Sequence, residues 1–270
     1  MPLHFQYLDI DGHRLRVAER NRHARHTGTL LIFNGVGSAI EVLTPFLKAL
    51  DSHHILTFDV PGVGGSSTPM LPRRLRHYAA TAAGVLEDLD IERCSVMGIS
   101  WGGVLAQQFA LQFPHRLDRL ILAATSPGQI MVPPGPLTLL RMATPLRYLS
   151  SAYFEQIVGS IYGGDFRDRS NTIAREHARR MVPPSLLGYF QQTSALWGWS
   201  SLHRLHRLKV PTLIMAGADD PIIPLINARI MAFLIPDARL EIFDCGHLFL
   251  LTRLERSVRL VEEFLATAST

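Results

Sequence analysis

The sequence predicts an α/β fold: a mostly parallel sheet with helices on both faces and a helical cap inserted into the second half. Three observations predict it. Short, continuously apolar runs alternate with helical stretches, which is how strands buried on both faces read. The chain has 270 residues and is 47% hydrophobic, so it can bury a substantial core. Finally, one long interval near the middle contains no strand-like run at all.

The elements follow in order. FQYLDI and HRLRVAE alternate around the Asp11-Gly12 turn and predict an opening hairpin. A basic loop, RNRHARHTG, comes next. Buried strands are then expected at TLLIF (29–33), HILTFD (54–59), RCSVMG (93–98), RLILAA (119–124), TLIMAG (212–217) and ARLEIF (238–243). Helices are expected between them, at about 40–50, 74–89, 101–113, 224–234 and 249–266. From Pro127 to about Lys209 there are proline-marked breaks (VPPGP, TPL, VPP) and apolar helical segments, together with two of the three tryptophans. The expected organisation is a core over 1–126, a helical cap over 127–209 and the rest of the core over 210–270. Such a cap would cover the carboxyl ends of the strands, where open α/β sheets bind ligands.

Composition excludes several classes. Twenty-seven basic against 23 acidic side chains give a formal charge of +4, with no dense basic stripe, so nucleic acid is not an expected partner. The densest cluster, HRLHRLK (203–209), reads as the solvated face of a helix. The opening MPLHFQYLDIDGHRL lacks the charged and apolar regions of a secretion signal, and no run approaches the ~20 apolar residues of a membrane span, so a cytoplasmic protein is expected. Cys94 and Cys245 fall at opposite ends of their strands, about 15 Å apart at about 3.3 Å per residue, beyond disulfide reach. DVPGVGGSS (59–67) has neither the lysine of a phosphate loop nor G-x-G-x-x-G spacing, and no H-E-x-x-H or C-x-x-C occurs; no cofactor and no metal are expected.

The chemistry centres on GISWG (98–102), which fits the G-x-S-x-G nucleophile elbow. The pattern needs glycines because the serine sits in a strained turn where neighbouring side chains would collide with backbone. Serine is a weak nucleophile and requires a base held by a third group. GADDPIIP (217–224) ends one strand with Asp219 and Asp220, and CGHLF (245–249) ends the next with His247. Ser100, Asp220 and His247 are therefore the expected catalytic set, with Asp219 as a turn residue bonding nearby amides. An oxyanion needs two N–H donors: Trp101, just after the serine, and Val36 in NGVGS (34–38), where Gly35 lets the backbone approach and Asn34 supports the loop.

These segments resemble the α/β-hydrolase superfamily over nearly the whole chain. More narrowly, LLIFNGVGS, FDVPGVGGSSTP, GISWGGVLAQQFA, IYGGDFR, ADDPIIPLINAR and DCGHLFLLTR are similar to the intracellular depolymerases of medium-chain-length polyhydroxyalkanoates. The resemblance implies the α/β-hydrolase fold and a serine esterase that cleaves a storage polyester to 3-hydroxyalkanoic acids or short oligomers. It carries the triad onto Ser100, Asp220 and His247, and it draws Asn34, Trp101 and Tyr162 toward substrate binding. The expected partner is a hydrophobic polyester or acyl ester, with the granule surface as a further contact. A hydroxyacyl acyltransferase, a general carboxylesterase and a receptor without turnover stand as alternatives, and oligomeric state is left open.

Overall fold

The computed structural model describes residues 2–168 and 172–267. The hairpin forms from β1 (His4–Ile10) and β2 (His13–Arg20), with Ile10 opposite His13. Positive φ at both Asp11 (50°) and Gly12 (73°) gives the turn whose twist matches the strands it joins. The basic stretch after it is a short 3₁₀ helix, Arg22–Thr27, rather than an open loop.

The sheet continues with β3 (Thr29–Phe33), β4 (His54–Phe58), β5 (Cys94–Ile99), β6 (Leu117–Ala123), β7 (Thr212–Gly217) and β8 (Ala238–Phe243). Its spatial order is β1-β2-β4-β3-β5-β6-β7-β8, antiparallel where β2 meets β1 and β4 and parallel elsewhere. Every residue of β3 is buried, and alternate residues serve opposite faces. Leu31 and Phe33 join the cluster under α2 (Leu75–Asp88) and α3 (Trp101–Gln112), whereas Leu30 and Ile32 join the one under α1 (Ile40–Ala49). Both faces are thereby covered.

Between β6 and β7 the described residues form no strand. They form α4 (Pro136–Met142), α5 (Leu146–Leu149), α6 (Ser151–Tyr162), α7 (Thr172–Arg180) and α8 (Leu186–Ala195). Ser150 and Ser185 cap α6 and α8 by accepting the Tyr153 and Gly188 amides, and Pro136 opens α4, where its missing N–H has no cost. The HRLHRLK stretch leaves His203, His206, Arg207 and Lys209 exposed, as expected of a solvated helix face. It lies largely in a 3₁₀ turn, Leu202–Arg207, in which Leu205 is buried and Arg204 lies over Trp199.

The chain finishes with α9 (Ile226–Leu234), α10 (Phe249–Thr252) and α11 (Leu254–Ala266). The single helix expected over 249–266 is broken at Arg253, whose φ of −126° leaves the helical region. Its guanidinium turns instead to Asp165 and to the Asp244 carbonyl, 3.0 Å away. Cys94 and Cys245 are both buried and free.

Candidate active site

Ser100 stands between β5 and α3 with φ 54° and ψ −118°, a conformation that side chains rarely adopt and that stores on the order of 1–3 kcal/mol. The surroundings hold it there. Its N–H donates to the Ala123 carbonyl at 2.9 Å, and its own carbonyl accepts from the Thr125 hydroxyl at 2.7 Å and the Gly103 amide at 2.9 Å. The glycines are steric necessities. A Cβ on Gly98 would come within 2.5 Å of Gly103 Cα, one on Gly102 would enter the Phe33 carbonyl, and one on Gly103 would reach Thr125 at 2.5 Å. Gly35 is different: a Cβ there would meet only ordinary contacts, Ser100 Cβ at 3.7 Å among them, so close approach does not require that glycine.

His247 follows β8, and its Nδ1 is 2.7 Å from Asp220 Oδ2, with both side chains nearly inaccessible. The other Asp220 oxygen accepts the Ile222 and Ile223 amides, each at 2.9 Å, so the carboxylate is fixed from both sides. Asp219 points away. Its carboxylate takes Arg167 in a two-pronged pair at 2.7 and 2.8 Å and the Gly164 amide at 2.7 Å, contacts reaching into the inserted segment rather than the local amides expected for it. Its pKa is held below the usual range, first by the Arg167 hydrogen bond.

Trp101 opens α3, where a backbone N–H has no intrahelical acceptor, and the Val36 amide has no protein acceptor among the described residues. Asn34 donates to the Ala39 carbonyl at 2.9 Å and accepts the Gly35 amide at 2.8 Å, so both polar ends of its side chain are used to shape its own loop. Ser100, His247, Asn34, Val36 and Tyr162 line one inner cavity, which extends to Tyr148, Arg147 and His177. A second, outer cleft of about 1220 Å³ including solvent-open space shares Ser100 and Val36 with it and is walled by Trp101, Met131, Leu139 and Trp197. Five of the seven expected residues thus line one cavity, with Trp101 beside the serine and Asp220 paired to His247.

A family model described as the α/β-hydrolase fold matches residues 28–254. The chain belongs to the α/β-hydrolase family. It is 46% identical over 265 residues to a poly(3-hydroxyalkanoate) depolymerase from Ectopseudomonas oleovorans, covering 98% of this chain and 93% of that one. It is 26% identical over 202 residues to 3-oxoadipate enol-lactonase 2 from Acinetobacter baylyi, covering 73% of each. Among solved structures, a hydrolase from Pseudomonas aeruginosa PA01 superposes with a TM-score of 0.84 at 25% identity, over 97% of this chain and 98% of that one.

In this α/β-hydrolase the inserted helices are seated on the core largely through glycine. Cβ atoms on Gly163 and Gly164 would enter the Asp219 carbonyl and the Gly246 amide, and one on Gly246 would enter the Tyr162 carbonyl. IYGG (161–164) is therefore the docking face for the histidine loop. The His247 amide completes it by donating to the Tyr162 carbonyl at 2.7 Å, and the Tyr162 ring lies nearly parallel to the imidazole, 11° apart with centroids 6.2 Å apart. Trp101 adds a further tie, its indole N–H donating to the Gln192 carbonyl of α8 at 2.8 Å.

Two site residues escaped sequence reasoning in this α/β-hydrolase. Arg147 is 2% exposed on the four-residue helix α5, and His177 is 3% exposed on α7 among Phe154, Tyr162 and Phe166. Burial, then the charges of Arg180 and Arg147, push the His177 imidazole down to about 4, so it is neutral near pH 7. Nothing in the local spacing of LRYL or EHARR marks either side chain as inward-facing. Pro145 immediately before α5 is the single local cue, and it signals only a helix start.

Proposed function

We propose that this protein is a serine esterase that hydrolyses the ester bonds of medium-chain-length poly(3-hydroxyalkanoate). One observation carries the reading of the chemistry: Ser100, held at positive φ after β5, lines the same cavity as His247 after β8, whose imidazole is paired with the buried Asp220 after β7. The substrate class follows the depolymerase that shares 46% of its residues with this chain.

In this mechanism His247 Nε2 accepts the Ser100 proton while Oγ attacks the ester carbonyl. Asp220 keeps the other proton on Nδ1 and stabilises the imidazolium that forms. The Val36 and Trp101 amides receive the oxyanion, each donor contributing about 3–4 kcal/mol in comparable sites. His247 then protonates the departing alkoxide, and water, deprotonated in its turn by His247, releases the acid from Ser100. Trp101 also walls the apolar cleft that suits an aliphatic chain, and Tyr162 backs the imidazole.

The inserted helices act as the cap over this site, and the protein works in the cytoplasm at the surface of polyester granules. No helix of the described residues is long and apolar enough to cross a membrane. The test is turnover on medium-chain polyester granules, on short-chain polyester and on p-nitrophenyl esters of graded length, with Ser100→Ala beside the unaltered protein. Free hydroxy acids from the medium-chain granules, lost in Ser100→Ala, are the expected result. Hydrolysis of short soluble esters alone, or dimeric hydroxyacyl esters formed from acyl-thioester donors, would overturn it.

A further inference from the structure

The inner cavity contains a charge that the ester chemistry leaves unused. Arg147 is almost fully buried, and an arginine stays protonated under any ordinary condition. No carboxylate among the described residues is within ion-pair distance of it. Its Nη1 donates to the Tyr189 hydroxyl at 2.9 Å, and that hydroxyl donates in turn to the Met142 carbonyl at 2.6 Å, so the tyrosine offers a neutral lone pair and no countercharge. The guanidinium carbon lies 4.6 Å from the Tyr148 ring centroid and 5.5 Å from that of Tyr189. Nε has no partner at all.

Taking a cation out of water without a countercharge is expensive, and two ring faces and the neutral hydroxyls of Tyr189 and Tyr162 offset only part of that cost. The nearby His177 does not supply a negative charge either. An incomplete guanidinium fork, aimed into a cavity that also contains a nucleophile, is matched in shape and charge by a planar carboxylate.

We propose that Arg147 receives the free carboxylate at the acid end of a hydroxyalkanoate chain, which makes the inner cavity the site of the leaving hydroxy acid. This rests on the esterase reading above. In such a polyester the terminal carboxylate belongs to the alcohol side of the last ester bond. With that carboxylate on Arg147 and the ester carbonyl at Ser100, the C–O bond that breaks frees one hydroxy acid. Its alkoxide takes the proton from His247, while the remaining chain stays as the acyl group on Ser100 Oγ. That chain runs out through the apolar cleft past Met131 and Leu139 to Trp197, which is 83% exposed. The protein therefore shortens its substrate one unit at a time from the carboxyl end.

The test compares cleavage of the internal ester bond in the dimer of 3-hydroxyoctanoate and in its methyl ester, which lacks the terminal charge. The unaltered protein is expected to favour the free acid at least tenfold in kcat/KM. Arg147→Gln should lower kcat/KM at least tenfold more on the acid than on the methyl ester, and Arg147→Lys should recover part of that difference. If Arg147→Gln does not fold, inhibition of the unaltered protein decides: 3-hydroxyoctanoate should compete at least tenfold better than its methyl ester and better than inorganic phosphate. Equal rates on acid and ester, equal competition by the two, or equal losses on both substrates in Arg147→Gln would overturn the assignment while leaving the esterase reading intact. Failure to hydrolyse any of these esters would instead strike the esterase reading itself.

Discussion

Asp219 and Asp220 are neighbours in the chain and face opposite ways: Asp220 Oδ2 is 2.7 Å from His247, and Asp219 is clasped by Arg167. One carboxylate serves the imidazole and the other holds the inserted helices. The two substitutions should therefore separate. Asp220→Asn leaves the shape but removes the acceptor that selects the His247 tautomer, and ester hydrolysis is expected to fall by about three to four orders of magnitude. Asp219→Asn, acting on a largely exposed pair, should change stability by no more than about 1 kcal/mol and turnover by a few-fold at most. Rates on a p-nitrophenyl ester and urea midpoints measure both, and comparable rate losses in the two variants would contradict the division.

The elbow makes a second prediction. Gly102→Ala puts a methyl group into the Phe33 carbonyl, where only movement of β3 could relieve it. Destabilisation of more than about 3 kcal/mol is expected, against a change within about 0.5 kcal/mol for Gly135→Ala, whose Cβ would meet open space. Denaturant unfolding of the two variants distinguishes them.

Trp101→Phe retains the backbone amide beside Ser100 but strands the Gln192 carbonyl. That lost bond is buried and ties α3 to α8, so about 1–3 kcal/mol of stability should go with it. KM should rise more than kcat falls, because the missing group positions the inserted helix α8 and not the oxyanion. A fall in kcat with KM unchanged would assign the indole to the chemical step.

Acid should weaken the structure at His177. Its folded pKa of about 4 lies below the ordinary 6.5, so the unfolded chain binds the proton first. The stabilisation is complete above pH 6.5 and is lost as pH falls toward 4, on the order of 3 kcal/mol in all. His177→Phe, which suits the aromatic neighbours, should flatten that part of the stability profile. Unfolding followed between pH 7.5 and 4 provides the comparison.

Most of the sheet was readable in advance for a physical reason. A parallel strand buried on both faces must be apolar at consecutive positions, so TLLIF and TLIMAG mark β3 and β7 to the residue; ARLEIF has the right bounds for β8, but as the sheet's edge strand it buries only Phe243 and is not the buried strand expected. Strand ends near polar turns were less sharp; β6 starts at Leu117, two residues before the apolar run. The serine and its partners were readable because short motifs at strand ends have local steric and chemical demands. Arg147 was not. Its burial depends on Tyr189, 42 residues away, and on a cavity that no helical periodicity encodes. The break at Arg253 was hidden likewise, since it answers to Asp165 across the molecule.

The glycine contacts between the inserted helices and the sheet's loops also bear on how such a molecule could be rebuilt. Gly62 and Gly188 press so closely that a Cβ on the first would lie 2.5 Å from the Cα of the second, and Gly163, Gly164 and Gly246 form a similar seam. A seam of bare backbone tolerates no wedge on either side. A corresponding segment transplanted from another hydrolase would fit only if the receiving loops at Gly62 and Gly246 came with it, so the exchangeable module is larger than the 127–209 insertion and includes parts of the body it packs against.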